Sequence, residues 1–146
     1  MHRVRDLVFD RYEHAPRAGR ASLGLLIFRL GAGALILGHG WSKLSSFGEL
    51  ATRFADPLGV GTTASLSLAV FAEFFCALLV MVGLGTRLAV LPILITMLVA
   101  AVMIHAGDPW AKQEFPLLYA VVWLGLFFTG PGRYSLDFLY AKRRRA

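Results

Sequence analysis

Four ionisable side chains beside long apolar runs have the chemistry of a proton-transferring site. His39 and Lys43 lie in "HGWSKL", and His105 and Glu114 flank a short polar stretch. Imidazole groups titrate near neutral pH and relay protons, while amines and carboxylates hydrogen-bond carbonyl groups and move protons. We therefore predict that His39, Lys43, His105 and Glu114 form the catalytic part of a polar site at the outer mouth of the molecule.

Two more charges, Arg29 and Glu73, lie inside apolar runs. Arg29 is nine residues beyond Arg20, and Glu73 is eleven residues beyond Thr62. At the rise of an α-helix these positions are ~13 Å and ~16 Å from the helix ends. An arginine at the centre of a membrane helix costs ~2.5–3.5 kcal/mol, so an opposite charge at matching depth is favoured. The sequence predicts an Arg29–Glu73 ion pair facing the interior, either as a lock between two helices or as part of a functional site.

The sequence contains no motif for a metal or an intrinsic redox cofactor. No two histidines have the close spacing that a helical zinc site uses. Cys76 is the only cysteine, which leaves neither an intrachain disulfide nor a dithiol, and its apolar neighbours indicate a packing role. We predict no metal and no intrinsic cofactor, with a membrane-soluble quinone as the candidate redox ligand.

The composition is that of a membrane protein. Hydrophobic residues make up 57% and charged residues 16% of the 146 residues, and the mean hydropathy is +0.63, whereas about a quarter of a soluble domain is charged. Four apolar stretches cover residues 23–38, 62–82, 88–105 and 115–129, each near the ~20 residues that cross a bilayer. Backbone groups in lipid must bond to one another, so these spans are helices. The predicted fold is an all-α, integral membrane four-helix bundle.

Lysine and arginine are distributed unevenly about these spans. The two tails and the turn at residues 83–87 hold eleven of them, and the opposite side holds three. The positive-inside rule therefore places both termini in the cytoplasm. The basic run at residues 142–145 then sets topology and meets anionic lipid, which makes a nucleic-acid partner unnecessary. Acidic residues in the first 20 positions, and the lack of a small-x-small cleavage site, argue against a cleaved signal peptide.

Short amphipathic stretches outside the spans predict three interfacial helices. They lie at the N-terminus, in the first outer loop at residues 42–57, and at the C-terminus from residue 134 onward. In the last of these, Ser135 is the expected N-cap and Asp137 suits the helix start. We divide the chain into an N-terminal cytoplasmic segment (1–21), a four-span domain (22–130) and a basic cytoplasmic tail (131–146).

Glycines in the first span follow two rows of seven-residue spacing. Small residues allow membrane helices to approach closely, so both rows predict helix packing. The rows are Gly24, Gly31 and Gly38, and Gly33 and Gly40.

An ordered set of motifs resembles the DoxX family over roughly residues 22–138. The set comprises Arg29, "HGWSKL" at 39–44, "EFFCALLVMVGLGTR" at 73–87, "QEFPLLY" at 113–119 and "GPGRYSLD" at 130–137. A span ending in His105 also fits. The chain departs from the family at Phe74, Phe75 and Cys76, where glycines are frequent.

The resemblance implies a four-helix protein of the bacterial inner membrane. Members are described as oxidoreductases; the family name comes from a subunit of a membrane thiosulfate:quinone oxidoreductase, and some members are tied to thiol or oxidative stress. The residues that match the family motifs are Arg29, His39, Lys43, Glu73, His105 and Glu114.

Three functions stay open at the level of sequence. The first is a quinone-linked or thiol- and sulfur-related oxidoreductase subunit. The second is a non-catalytic accessory or assembly subunit, and the third is a pathway for protons or a small solute. The expected partners are the lipid bilayer, a quinone or other small molecule, a redox protein, and a second copy of the chain.

Overall fold

The computed structural model describes residues 18–143, which contain helices and connecting segments but no strand. Three helices are long and apolar enough to cross a membrane: Gly19–Ser45, Thr62–Val82 and Thr86–Ile104. This confirms the predicted all-α membrane fold, while the fourth span stays a prediction. The helices are α1 (Ala18–Ser45), α2 (Phe47–Leu50), α3 (Thr62–Val82), α4 (Thr86–Ile104), α5 (Trp110–Thr129) and α6 (Leu136–Arg143).

The long helices pack in chain order. Helix α1 packs on α3, α3 on α4, and α4 on α5, while α1 makes a smaller contact with α5. Their shared core is apolar and includes Ile36, Val80, Ile93 and Trp123. Large apolar side chains also cover the outside of the bundle, where hydrocarbon rather than water is a suitable solvent.

The bundle has two ends that differ in their connections. The tail end holds the turn at residues 83–85 and the segment 130–143. The loop end holds residues 46–61 and 105–109. The turn expected at residues 83–87 is confirmed at the tail end, because Gly83 and Gly85 have positive φ, and Gly130, which also has positive φ, follows the end of the last long helix. The predicted N-terminal interfacial helix lies outside the described residues.

At the loop end, the predicted amphipathic helix is reduced to the single turn of α2. The rest of the loop is fixed by Asp56, whose carboxylate accepts bonds from Val60 N at 3.0 Å, Gly61 N at 2.7 Å and Ser65 Oγ at 2.7 Å. The Ser65 and Gly61 bonds stabilise the charged form, which lowers the pKa of Asp56. The start of α3 is thereby tied to the preceding loop.

Two π-helical segments interrupt the spanning helices. Phe71–Cys76 lies within α3 and Ala100–Ile104 ends α4. Such wider turns are uncommon and occur often at functional sites. They position two of the candidate site residues, because Glu73 lies in the first segment and His105 follows the second.

The two glycine rows of α1 have different surroundings. A Cβ added at Gly40 would lie 2.5 Å from the carbonyl carbon of Glu73, and one at Gly33 would collide with Met81. This row therefore permits the close approach of α1 and α3, as predicted. The prediction is wrong for the other row, because added Cβ atoms at Gly24, Gly31 and Gly38 would meet nothing within 4 Å.

Candidate functional site

Arg29 is buried at the tail end and is bonded to backbone carbonyls. Its Nη1 donates to Pro131 O at 2.5 Å, and its Nη2 donates to Tyr134 O at 2.7 Å and Met81 O at 3.3 Å. Two of these acceptors belong to the segment that follows α5, and the third is near the end of α3. The guanidinium thus joins three parts of the chain at one point.

The predicted Arg29–Glu73 pair is wrong. Glu73 lies beside Gly40, and Gly40 is eleven residues farther along α1 than Arg29, which is ~16 Å at the rise of an α-helix. The prediction took the two charges to lie at equal depth. The close contacts of Gly33 and Gly40 instead set α1 against α3 so that Arg29 is level with the α3–α4 turn.

Asp137 is a buried carboxylate that the sequence analysis assigned only to the start of α6. It accepts bonds from Gly85 N at 2.7 Å, Thr86 N at 3.0 Å and Thr86 Oγ1 at 2.9 Å, so it caps α4. Ser135 caps α6 as predicted, through Phe138 N at 3.2 Å. A signal in the sequence could have indicated this role. The residue at the N-cap of α4 is Gly85, which has no side chain to accept a hydrogen bond from the first N–H groups of the helix.

These side chains form one structural unit, which we call the tail cluster: Arg29, Thr86, Ser135 and Asp137. All four are buried. Most of their bonds go to backbone groups of helix ends and of the segment after α5, which would otherwise lack partners. The tail cluster therefore closes the tail end of the bundle.

Lys43 and Glu73 form an ion pair in place of the predicted one. Lys43 Nζ donates to Glu73 Oε2 at 2.5 Å, and the side chains are 23% and 5% exposed. Glu73 lies about half-way along α3, within its π-helical segment. Intramembrane ionisable residues are few because burial is costly, and they commonly mark functional sites. The Lys43–Glu73 pair is therefore the leading candidate site.

Aromatic residues are close to this pair in the sequence. Trp41 and Phe74 lie 6.0 Å apart between ring centroids, and Phe74 meets Phe75 edge to face at 5.1 Å. Trp41 and Phe75 are exposed on the surface of the bundle. Flat apolar rings on the two helices that carry the pair are thus open to the surroundings of the protein. Cys76, in the same π-helical segment, is buried and has a free thiol.

His105 belongs to a second group at the loop end. Its Nδ1 lies 2.8 Å from Asp108 Oδ2, and Lys112 Nζ lies 3.5 Å from the other carboxylate oxygen. The bond from His105 and the nearby charge of Lys112 lower the pKa of Asp108. Gln113 Nε2 donates to the Asp108 carbonyl at 3.0 Å, which fixes the turn before α5.

The structure does not gather the predicted site residues at one mouth. His39 and Glu114 are exposed and make no hydrogen bond or ion pair within residues 18–143. Measured from the α3–α4 turn, Glu73 is eleven residues away and His105 about twenty, which separates them by ~13 Å along the bundle axis. Lys43 therefore pairs with Glu73, and His105 pairs with Asp108.

Comparison with known proteins identifies the family. The DoxX family model matches residues 24–106. The chain belongs to the DoxX family. An uncharacterized membrane protein of Mycobacterium tuberculosis, Rv3486, is 30% identical to this DoxX chain, and the alignment covers 84% of each protein. No solved structure matches the chain significantly.

The motifs of this DoxX chain meet at two places in the fold. The "GLGTR" and "GPGRYSLD" motifs combine with Arg29 in the tail cluster. The "HGWSKL" motif supplies Gly40 and Lys43, which adjoin Glu73. The family match includes the whole Lys43–Glu73 pair but ends before Asp137. One set of motifs holds the helices together, and the other buries an ion pair within them.

Proposed function

We propose that this DoxX protein is a quinone-linked subunit of a membrane oxidoreductase, with Lys43 and Glu73 as its quinone-binding residues. The observation that carries the proposal is the short, largely buried Lys43–Glu73 pair half-way along α3. Such a pair lies where a membrane-soluble ligand is found, and the aromatic residues next to it in the sequence suit a flat apolar head group.

The chemistry of a quinone fits these residues. Reduction of a quinone to a quinol takes up two electrons and two protons. Lys43 would donate a hydrogen bond to a quinone carbonyl, and Glu73 would pass protons. The electrons must come from a partner redox protein that oxidises a thiol or another reduced sulfur compound, since the single Cys76 cannot form an intrachain disulfide.

The same proposal assigns the protein to the bacterial inner membrane with both termini in the cytoplasm. At the tail end the described chain carries Arg20, Arg133, Lys142 and Arg143 as exposed cations. The loop end carries more carboxylates than cations. The positive-inside rule favours the tail end as the cytoplasmic one. Helix α5, with 20 residues, is the proposed fourth span.

A non-catalytic accessory subunit is the second candidate. It is supported by the way Lys43 and Glu73 satisfy each other while the tail cluster bonds backbone groups. In that case the buried charges would fix the helix arrangement and the protein would act by holding a partner. The two candidates differ in whether a quinone binds.

A quinone-retention experiment separates them. The full chain is reconstituted in nanodiscs containing ubiquinone or menaquinone, repurified and extracted for mass spectrometry. We expect retained quinone in the wild type and its loss in Lys43→Gln and Glu73→Gln. The matched controls are Arg53→Gln and Glu49→Gln, which remove exposed charges at the loop end and should retain it.

Two outcomes would overturn the proposal. One is a well-folded wild-type protein that retains no quinone, which would favour the accessory-subunit candidate. The other is equal retention by the wild type and Lys43→Gln. His39→Ala and Glu114→Gln belong in the same series, because those two residues stay predictions as members of the site.

A further inference from the structure

Helix α6 presents an apolar stripe to the outside of the molecule. Leu136, Leu139 and Tyr140 are 38%, 53% and 49% exposed. Their i, i+3, i+4 spacing places them on one face of the helix. Arg143 continues that stripe and Lys142 flanks it, so the face is apolar in its first turns and cationic in its last.

The bundle fixes which face of α6 points outward. Asp137, one residue after Leu136 and so ~100° around the helix from it, is buried and bonded to Gly85 and Thr86, and its own N–H donates to Gly83 O at 2.8 Å. The exposed stripe is therefore not a result of free rotation. Exposed apolar residues that form one contiguous face commonly mark a surface that meets a partner or a membrane.

The distribution of charged residues at the tail end indicates the chemistry of that partner. In the tail-end stretches 18–34, 80–92 and 124–143, Asp137 is the only carboxylate, and it is buried. Exposed cations there include Arg20, Arg133, Lys142 and Arg143. The surface is therefore complementary to a partner that is negatively charged and partly apolar.

The stripe is also close to the lipid-facing surface of the spanning helices. Leu88 lies two residues after Thr86, which bonds Asp137, and its side chain is exposed. Phe128 is exposed at the end of α5, where its carbonyl accepts a bond from Arg87. Apolar surface that faces hydrocarbon thus adjoins the stripe where the helices reach the membrane boundary.

We propose that α6 lies in the headgroup layer and binds anionic phospholipid. Leu136, Leu139 and Tyr140 reach the boundary of the acyl chains, while Lys142 and Arg143 contact headgroup phosphates. Lipid is favoured over an acidic protein segment because α6 follows at the same end of the spanning helices, where a headgroup layer is always present. The proposal is independent of quinone binding.

The depth of the stripe gives the first test. In a Cys76→Ala background, a nitroxide label on Leu139→Cys is compared in nanodiscs of phosphatidylcholine and of phosphatidylglycerol. We expect oxygen accessibility typical of the headgroup–acyl boundary in phosphatidylglycerol. A label that stays water-accessible in both lipids overturns the proposal. Movement out of water only after an acidic amphipathic peptide is added would assign the stripe to a protein partner instead.

Lipid selectivity gives the second test. Nanodiscs with equal amounts of the two lipids are dissociated gently, and the lipids bound to the full chain are counted by native mass spectrometry. We expect a preference for phosphatidylglycerol that falls roughly fivefold for each cation lost in Lys142→Gln/Arg143→Gln. The matched control, Arg53→Gln/Lys112→Gln, removes two cations from the loop end and should keep the preference. Equal preference in the wild type and the α6 variant contradicts the proposal.

Discussion

The tail cluster and the Lys43–Glu73 pair both bury charge among apolar helices, but they satisfy it differently. Arg29 is hydrogen-bonded to backbone carbonyls and Asp137 mainly to backbone amides. Both charges are therefore stabilised by fixed backbone groups. Lys43 and Glu73 instead stabilise each other as an ion pair between two side chains. The tail cluster is closed to the surroundings, whereas the Lys43 side chain is partly exposed.

The difference separates a structural from a functional use of buried charge. A side chain bonded to the ends of several helices cannot change partner without opening the fold. A lysine bonded to a single carboxylate can exchange that partner for a ligand carbonyl by rotating its side chain. The tail cluster therefore suits assembly of the bundle, and the pair suits binding.

The largest expected effect is the loss of stability when the tail cluster is broken. Asp137→Ala leaves the start of α4 without its acceptor and Arg29 without a nearby negative charge. We expect a loss of about 3–5 kcal/mol, because several buried hydrogen-bond donors lose their charged acceptor at about 1–3 kcal/mol each. Thermal unfolding in mild detergent measures it. Lys43→Ala should lose clearly less, and equal losses would remove the distinction between the two regions.

The second-largest expected effect is on stability, at the close approach of the α1 and α3 backbones beside the Lys43–Glu73 pair. Gly40→Ala forces α1 away from the carbonyl of Glu73, for which we expect about 1–3 kcal/mol of destabilisation. The matched variant Gly38→Ala adds its methyl group to open space and should be neutral or stabilising, since alanine favours a helix. Similar losses in both variants would contradict the observed packing of α1 on α3.

A double substitution distinguishes stability from binding at the pair. Glu73→Leu alone leaves the Lys43 amine unpaired, and we expect a loss of about 1–2 kcal/mol because that amine is not fully buried. Adding Lys43→Met removes the unpaired charge and should restore most of the stability. The restored protein should still fail to retain quinone. Retention by the double variant would show that the pair serves structure alone.

The smallest effect concerns pH at the loop end. The bond from His105 lowers the pKa of Asp108, so this contribution to stability is complete above the ordinary aspartate value of about 3.9. It is lost as pH falls through the lowered pKa. The difference in melting temperature between the wild type and Asp108→Asn should therefore shrink below about pH 4. A difference that grows on acidification would contradict the assignment.

The sequence alone determined the all-α membrane fold and much of its helix boundaries. The predicted span at 62–82 coincides with α3, and Ser135 caps α6 as expected. These features are local, because hydropathy, helix caps and glycine turns act between neighbouring residues. Lys43 and Glu73 were also among the predicted site residues, since charges inside apolar runs or at their ends are conspicuous.

Only the tertiary structure decided which charges meet. Arg29 bonds Pro131, 102 residues away in the chain, and Glu73 bonds Lys43 because Gly33 and Gly40 set the axial position of α1 on α3. The sequence analysis estimated the depth of each charge by counting residues from the end of its span. That count takes no account of an axial offset between two helices or of a π-helical turn. Partner choice for a buried charge depends on the axial register of the helices, which side-chain packing fixes and local sequence does not encode.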